Sequence, residues 1–88
     1  MSNKDFIIKK LSFRANHRGT KEMDILLGGF FDSNSKNLND DELDDFQKLL
    51  EIDDKALTDY FVMNKKNENI EKIEIVKKIV EFIDHKKI

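Results

Sequence analysis

Arg18-Gly19-Thr20-Lys21-Glu22-Met23-Asp24-Ile25-Leu26-Leu27-Gly28-Gly29-Phe30-Phe31-Asp32 is the stretch on which the reading of this chain turns. Met23, Leu26, Leu27, Phe30 and Phe31 stand at i, i+3, i+4, i+7 and i+8, a spacing that lines one broad face of an α-helix and matches no strand. A helix is therefore expected over 20–32. Gly19 just before it is a natural stop for an earlier helix, because glycine readily takes the left-handed conformation that closes a last turn. Two helices joined by a tight turn at Gly19 already favour an all-helical chain.

Outward from there the same periodicity continues. Toward the N-terminus a helix is expected over about 4–17, with Ile7, Leu11 and Arg14/Ala15 on its ridge and Phe6 and Phe13 beside it. Toward the C-terminus, residues 33–38 read as a loop, and Asn39 caps a helix over 40–51. Glu42, three residues on, completes a capping box, and Asp40 and Asp41 suit the positive helix end. Leu43, Phe46, Leu49 and Leu50 form its buried stripe. Asp53 or Asp54 caps a short helix over 54–63 carrying Ala56, Leu57, Tyr60, Phe61 and Met63. After a loop over 64–69, the last helix, about 70–86, has one stripe at Ile73, Val76, Val80 and Ile83 and a second at Ile75, Ile79 and Phe82. Two apolar stripes suit a helix central to a small bundle, and the second would equally serve a dimer. Proline is absent and the only glycines are Gly19, Gly28 and Gly29, so turns fall to Asn, Asp and Ser, which suits helix connections better than hairpins. The expectation is an all-α, compact five-helix bundle, with residues 1–88 forming one domain.

Composition narrows the function. A chain of 88 residues holds one domain with a small core. It has no cysteine, which excludes disulfides and thiolate zinc sites. No apolar run reaches bilayer length and Met1–Leu11 lacks the apolar stretch of a signal peptide, so membrane insertion is not expected and a cytoplasmic location is. Net charge is −2, with basic residues gathered before Glu22 and acidic ones between Asp40 and Asp59. A nucleic-acid binder would show a basic balance with interleaved aromatics, which this chain does not.

Catalytic machinery is not visible either. His17 has Thr20 and Lys21 at i+3 and i+4, and His85 sits in a basic tail, so neither has a nucleophile or metal-ligand partner at helical spacing. The acidic run Asp40-Asp41-Glu42 and Asp44-Asp45 lacks the glycine and terminal glutamate of a calcium loop. Gly28-Gly29 follows no strand and is no phosphate loop. An enzyme and a metal site are not expected; a binding protein is.

The binding surface is sought on the outer side of the 20–32 helix. At 100° per residue, Lys21, Glu22, Ile25, Gly29 and Asp32 face away from the apolar stripe, with Arg18 entering above them. Ile25 is an apolar residue on a face that should be polar, and each consecutive glycine costs a helix interior about 1 kcal/mol relative to alanine. Two readings follow with equal weight. The glycines, with Arg18 and Glu22 nearby, bare a surface for another protein's backbone, or they let a neighbouring helix of the same bundle pack closely while Arg18 and Glu22 form an ordinary i,i+4 pair.

Three blocks together bear on that choice. Arg18-Gly19-x-x-Glu22-x-Asp24 with Ile25-Leu26-Leu27-Gly28 and Phe30-Phe31, then Leu38-Asn39-Asp40-Asp41-Glu42, then Phe46-Gln47-Lys48-Leu49-Leu50-Glu51-Ile52-Asp53-Asp54 resemble in register the FAD assembly factors of succinate dehydrogenase. These are bacterial proteins related to mitochondrial succinate dehydrogenase assembly factor 2. The resemblance covers about 13–63, and the last helix shares only pattern and length. It implies a five-helix bundle that binds the flavoprotein subunit of succinate dehydrogenase and promotes covalent attachment of its FAD, with the flavoprotein of fumarate reductase as a second client. By the same resemblance Arg18, Gly19 and Glu22 match the docking motif and Asp24 its acidic companion, with Ile25 and Gly29 extending the partner-binding face. Arg18 would fork onto a client carboxylate or carbonyl, Glu22 would pair with a client base or orient Arg18, and Gly19 would give clearance. No dinucleotide fingerprint is present, so FAD is expected to belong to the client rather than to be held tightly here. A monomer is expected, with a dimer as the alternative. The chain departs from the family at Tyr60-Phe61, where members often carry an aromatic pair with tryptophan. Another helical adaptor or antitoxin-like protein, and more remotely a weak nucleic-acid binder using Lys9, Lys10, Arg14 and Arg18, remain the other readings.

Overall fold

A computed structural model describes the backbone of residues 3–86 and the side chains of residues 4–84. Its regular elements are helices throughout: α1 (Asn3–Asn16), α2 (21–34), α3 (Asp40–Leu50), α4 (Asp54–Phe61), the single turn α5 (Glu68–Glu71) and α6 (Ile75–Lys86). None of them is long and apolar enough to cross a membrane. The side chain of His85 lies outside the described residues.

The caps show why these elements begin where they do. Thr20 Oγ1 accepts the Met23 amide at the start of α2, and Asp53 Oδ1 accepts the Ala56 amide at the start of α4. At α3 the expected capping box is complete, with Asn39 Oδ1 accepting from Glu42 N at 2.8 Å and Glu42 Oε1 accepting from Asn39 N at 3.0 Å. Glu42 also forms an ion pair with Lys78, tying the start of α3 to α6. That ammonium and the Asn39 amide hold the Glu42 carboxyl below its ordinary value.

A single core runs through all these elements. Met23, Leu27, Phe30 and Phe31 of α2 meet Leu11 and Ala15 of α1, Leu43, Phe46, Leu49 and Leu50 of α3, Leu57 and Phe61 of α4, Ile70 of α5, and Ile75, Val76 and Ile79 of α6. Phe31 stacks on Phe46 with ring centroids 4.6 Å apart, and Phe82 meets Phe30 edge-on at 5.7 Å.

Three expectations are corrected by this packing. The inward ridge of α1 is Ile8, Leu11 and Ala15, whereas Ile7 is turned outward and Phe6 and Phe13 are 70% and 64% exposed. Within α2, Asp24–Gly28 forms a π-helical turn, and the helix runs on to Asn34 rather than ending at Asp32. The wider turn brings both Leu27 and Gly28 inside, which a strict 100° step does not. The expected last helix is broken. Asn67 caps α5, and the bonds Ile73 N to Ile70 O, Val76 N to Ile73 O and Lys77 N to Glu74 O then tighten the chain before α6. Three-residue turns shift the phase of every later residue, so Ile75, Val76 and Ile79 are buried while Val80 is left at the surface. Both stripes meet the core, Ile75, Ile79 and Phe82 from one and Ile73, Val76 and Ile83 from the other, with Val80 alone of the seven exposed.

Candidate functional site

The docking residues expected from the sequence divide into two groups. Arg18 stands in the turn between α1 and α2, and its side chain is only 12% exposed. Nη1 donates to the Leu50 carbonyl at 2.6 Å, Nη2 to the Ile52 carbonyl at 2.8 Å, and Nε to Asp54 Oδ1 at 2.9 Å. The first acceptor, Leu50, is the last residue of α3, where carbonyls lack intrahelical partners and the helix dipole favours a cation, and the second, Ile52, lies just past that helix end. The third lies in the first turn of α4, where the dipole favours an anion. One planar fork therefore joins the α1–α2 turn to the α3–α4 turn. The alternative of an Arg18–Glu22 pair is not what forms.

Gly19 and Asp24 belong to the same junction. The Gly19 amide donates to Asp54 Oδ2 at 3.2 Å, and the Arg18 amide donates to Asp24 Oδ1 at 2.6 Å. A side chain on residue 19 would begin 2.9 Å from Asp54 Oδ2, closer than real Cβ atoms approach. Clearance is thus required of Gly19, but on the side of Asp54. The left-handed conformation expected there is absent: none of the described glycines has a positive φ. The chain reverses through extended Thr20 instead, held by the single Asp54 carboxylate, which lies 36 residues from Arg18 and 35 from Gly19.

The outward group consists of Glu22 and Ile25, with Lys21 beside them. The Glu22 side chain is exposed and makes no hydrogen bond or ion pair among the described residues, and Ile25 is 62% exposed. Gly29 is half-buried, and a Cβ there would meet the Phe82 ring at 4.0 Å, an ordinary contact. Gly28 realises the close-packing reading, for its Cβ would overlap the Asn16 amide. That amide donates to the Ser12 carbonyl at 2.8 Å and to Asp32 Oδ2 at 3.2 Å, so Asp32, expected on the outer face, is tied to α1.

Two features escaped the sequence reading. Sequence position assigns Asp54 only a candidate cap, whereas Asp53 takes that role and Asp54 holds Arg18 and Gly19. The doublet was the available signal, since one of two adjacent aspartates suffices to cap. The other feature is the outer side of α1, where Phe13 stacks on His17 with centroids 4.1 Å apart and lies exposed beside Lys9 and Lys10. Among the described residues this assembly is a braced turn carrying an exposed helical face.

Comparison with known proteins identifies the family of the chain. Residues 9–83 match the family model described as flavinator of succinate dehydrogenase. The chain is similar to the FAD assembly factor SdhE of Acetobacter pasteurianus, with 50% identity over 73 residues, covering 83% of this chain and 67% of the relative. It is also similar to the mitochondrial succinate dehydrogenase assembly factor 2 of Caenorhabditis briggsae, with 33% identity over 82 residues, 90% of this chain and 67% of the relative. No solved structure matches.

Proposed function

The chain belongs to the family of succinate dehydrogenase flavinators, and from that premise we propose that it promotes flavinylation of the succinate dehydrogenase flavoprotein subunit by docking on it through the outer face of α2. It is an assembly factor, not an enzyme. The half-identical match across most of the chain carries the functional part of this reading.

Exposure and charge support this choice of surface. Glu22 and Ile25 offer an unpaired carboxylate beside an exposed aliphatic side chain, a combination that suits a partner presenting a base next to an apolar contact. Arg18, Gly19 and Asp24 contribute from beneath by holding the turn that carries the face. Gly29 extends the face without a side chain. FAD is held by the client, and this chain acts on the client's conformation. It works as a monomer in the cytoplasm, and the flavoprotein of fumarate reductase is a second client on the same surface.

The test is direct. The chain is added to the apo flavoprotein subunit with FAD, and covalent flavin fluorescence is read on the denatured client. Stimulation by the wild-type chain and its loss in Glu22→Ala, with an unchanged circular dichroism spectrum, is the expected result. Stimulation by Glu22→Ala equal to wild type removes the α2 face from the account.

A further inference from the structure

Arg18 is the residue a docking motif would be expected to present, yet its guanidinium is turned inward and all of its described partners lie within the chain. The carboxylate of Asp54 makes the difference. It accepts Arg18 Nε–H on one oxygen at 2.9 Å and the Gly19 amide on the other at 3.2 Å. The side chain of Asp54 is 31% exposed, and it does not cap its own helix, since the Asp53 side chain does. Its geometry is that of a bracket across the α1–α2 turn, placed two residues before Lys21 begins the helix that carries Glu22 and Ile25.

We infer that Asp54 is a positioning residue for client docking, acting through Arg18 and Gly19 to set the direction in which α2 leaves the turn. The inference rests on the docking face proposed above. Asp54 itself does not touch the client. A carboxylate is required because both donors need an acceptor at once; an asparagine offers one carbonyl oxygen and turns its NH₂ against the other donor. With the bracket loosened, the turn samples several directions, and the docking-competent fraction of the chain falls. Affinity for the client drops by that fraction, whereas the activity of each complex that does form is unchanged.

The experiment titrates the flavoprotein subunit and FAD with wild type, Asp54→Asn, Asp53→Asn and Glu22→Ala, reading covalent flavin. Asp53→Asn removes a charge from the neighbouring position and leaves an equally good helix cap, so it titrates as wild type. Asp54→Asn raises the factor concentration for half-maximal stimulation about tenfold at unchanged maximal stimulation, the scale of one charge-assisted hydrogen bond. Its Arg18 Nε–H resonance in a nitrogen–proton spectrum loses its protection from exchange, and that of Asp53→Asn does not. If Asp54→Asn melts below the assay temperature, Asp54→Ser takes its place and must show the same shift. Wild-type titration by the Asp54 variant, equal shifts in the two aspartate variants, or unfolding of both Asp54 variants overturns the inference. Glu22→Ala separates the two levels: its wild-type behaviour refutes the docking face, whereas a shift there without one at Asp54 refutes the bracket alone.

Discussion

The turn at residues 17–20 and the turn at residues 62–67 both redirect the chain after a helix, and they are built on opposite plans. The first contains a glycine but no left-handed residue, and it is held by Asp54 and by the carbonyls of Leu50 and Ile52, more than thirty residues away. The second contains no glycine, and Asn64 takes the left-handed conformation at φ 59°. There the bonds are local: Val62 and Met63 amides donate to the Thr58 carbonyl and the Lys65 amide to that of Asp59. A turn made of neighbours forms wherever its own residues are present. A turn made of distant side chains has its geometry only when the bundle has closed, so the surface it carries is coupled to the fold.

Perturbing the distant partners should therefore hurt most. Arg18→Ala leaves Asp54 Oδ1 and the Leu50 and Ile52 carbonyls without their shared donor, and its expected cost is about 2–3 kcal/mol, read as a fall of roughly 10–20 °C in Tm by circular dichroism. Arg14, four residues earlier, pairs with Glu51 at 2.9 Å nearer the surface, and its removal should cost less than about 1 kcal/mol. Equal losses for the two arginines would erase the distinction between a bracket and a surface pair.

The adjacent glycines give the next largest contrast. Gly28→Ala must displace the Asn16 amide from Ser12 and Asp32 and should destabilise by about 1–2 kcal/mol. Gly29→Ala meets only an ordinary contact at Phe82 in a helical backbone, so it should be neutral or stabilising by up to about 1 kcal/mol in chemical denaturation.

The local turn should respond locally. Asn64→Ala places a less tolerant residue at positive φ and should cost about 1 kcal/mol, with client stimulation unchanged when assayed below Tm. A change in stimulation would show that this end of the molecule also reaches the client. The smallest effect lies outside both turns, at Glu42. Its folded-state pKa is lowered from 4.5 by Lys78 and the Asn39 amide, so its contribution is fully present above pH 4.5 and is lost as pH falls through the lowered value. The Tm difference between wild type and Glu42→Gln should be constant above pH 4.5 and close as the solution is acidified below it.

The same division explains what could be read beforehand. The inner face of α2, the Asn39–Glu42 capping box and the helix starts at Thr20 and Asp53 depend on residues a few positions apart, and sequence spacing carries them. Phe6, Ile7 and Ile8 are consecutive and apolar, so spacing alone does not say which one turns inward; packing selects Ile8. The tight turns after Ile70 and the wide turn at Asp24–Gly28 change the residues per turn, and a wheel drawn at 100° loses phase at both. The role of Gly19 was hidden for a different reason. Its need for clearance is created by Asp54, and nothing in a linear string states that the blocks containing Arg18 and Asp54 touch.

The central claim is that one motif has an inward half that holds and an outward half that docks, and binding of the flavoprotein subunit by Glu22→Gln, measured beside its melting curve, tests it most directly. The account predicts a Tm lowered by no more than a few degrees, because the Glu22 side chain makes no hydrogen bond or ion pair among the described residues and loses only its charge in the first turn of α2, and an affinity weakened about tenfold through loss of a charged contact. Wild-type affinity in this variant would contradict it.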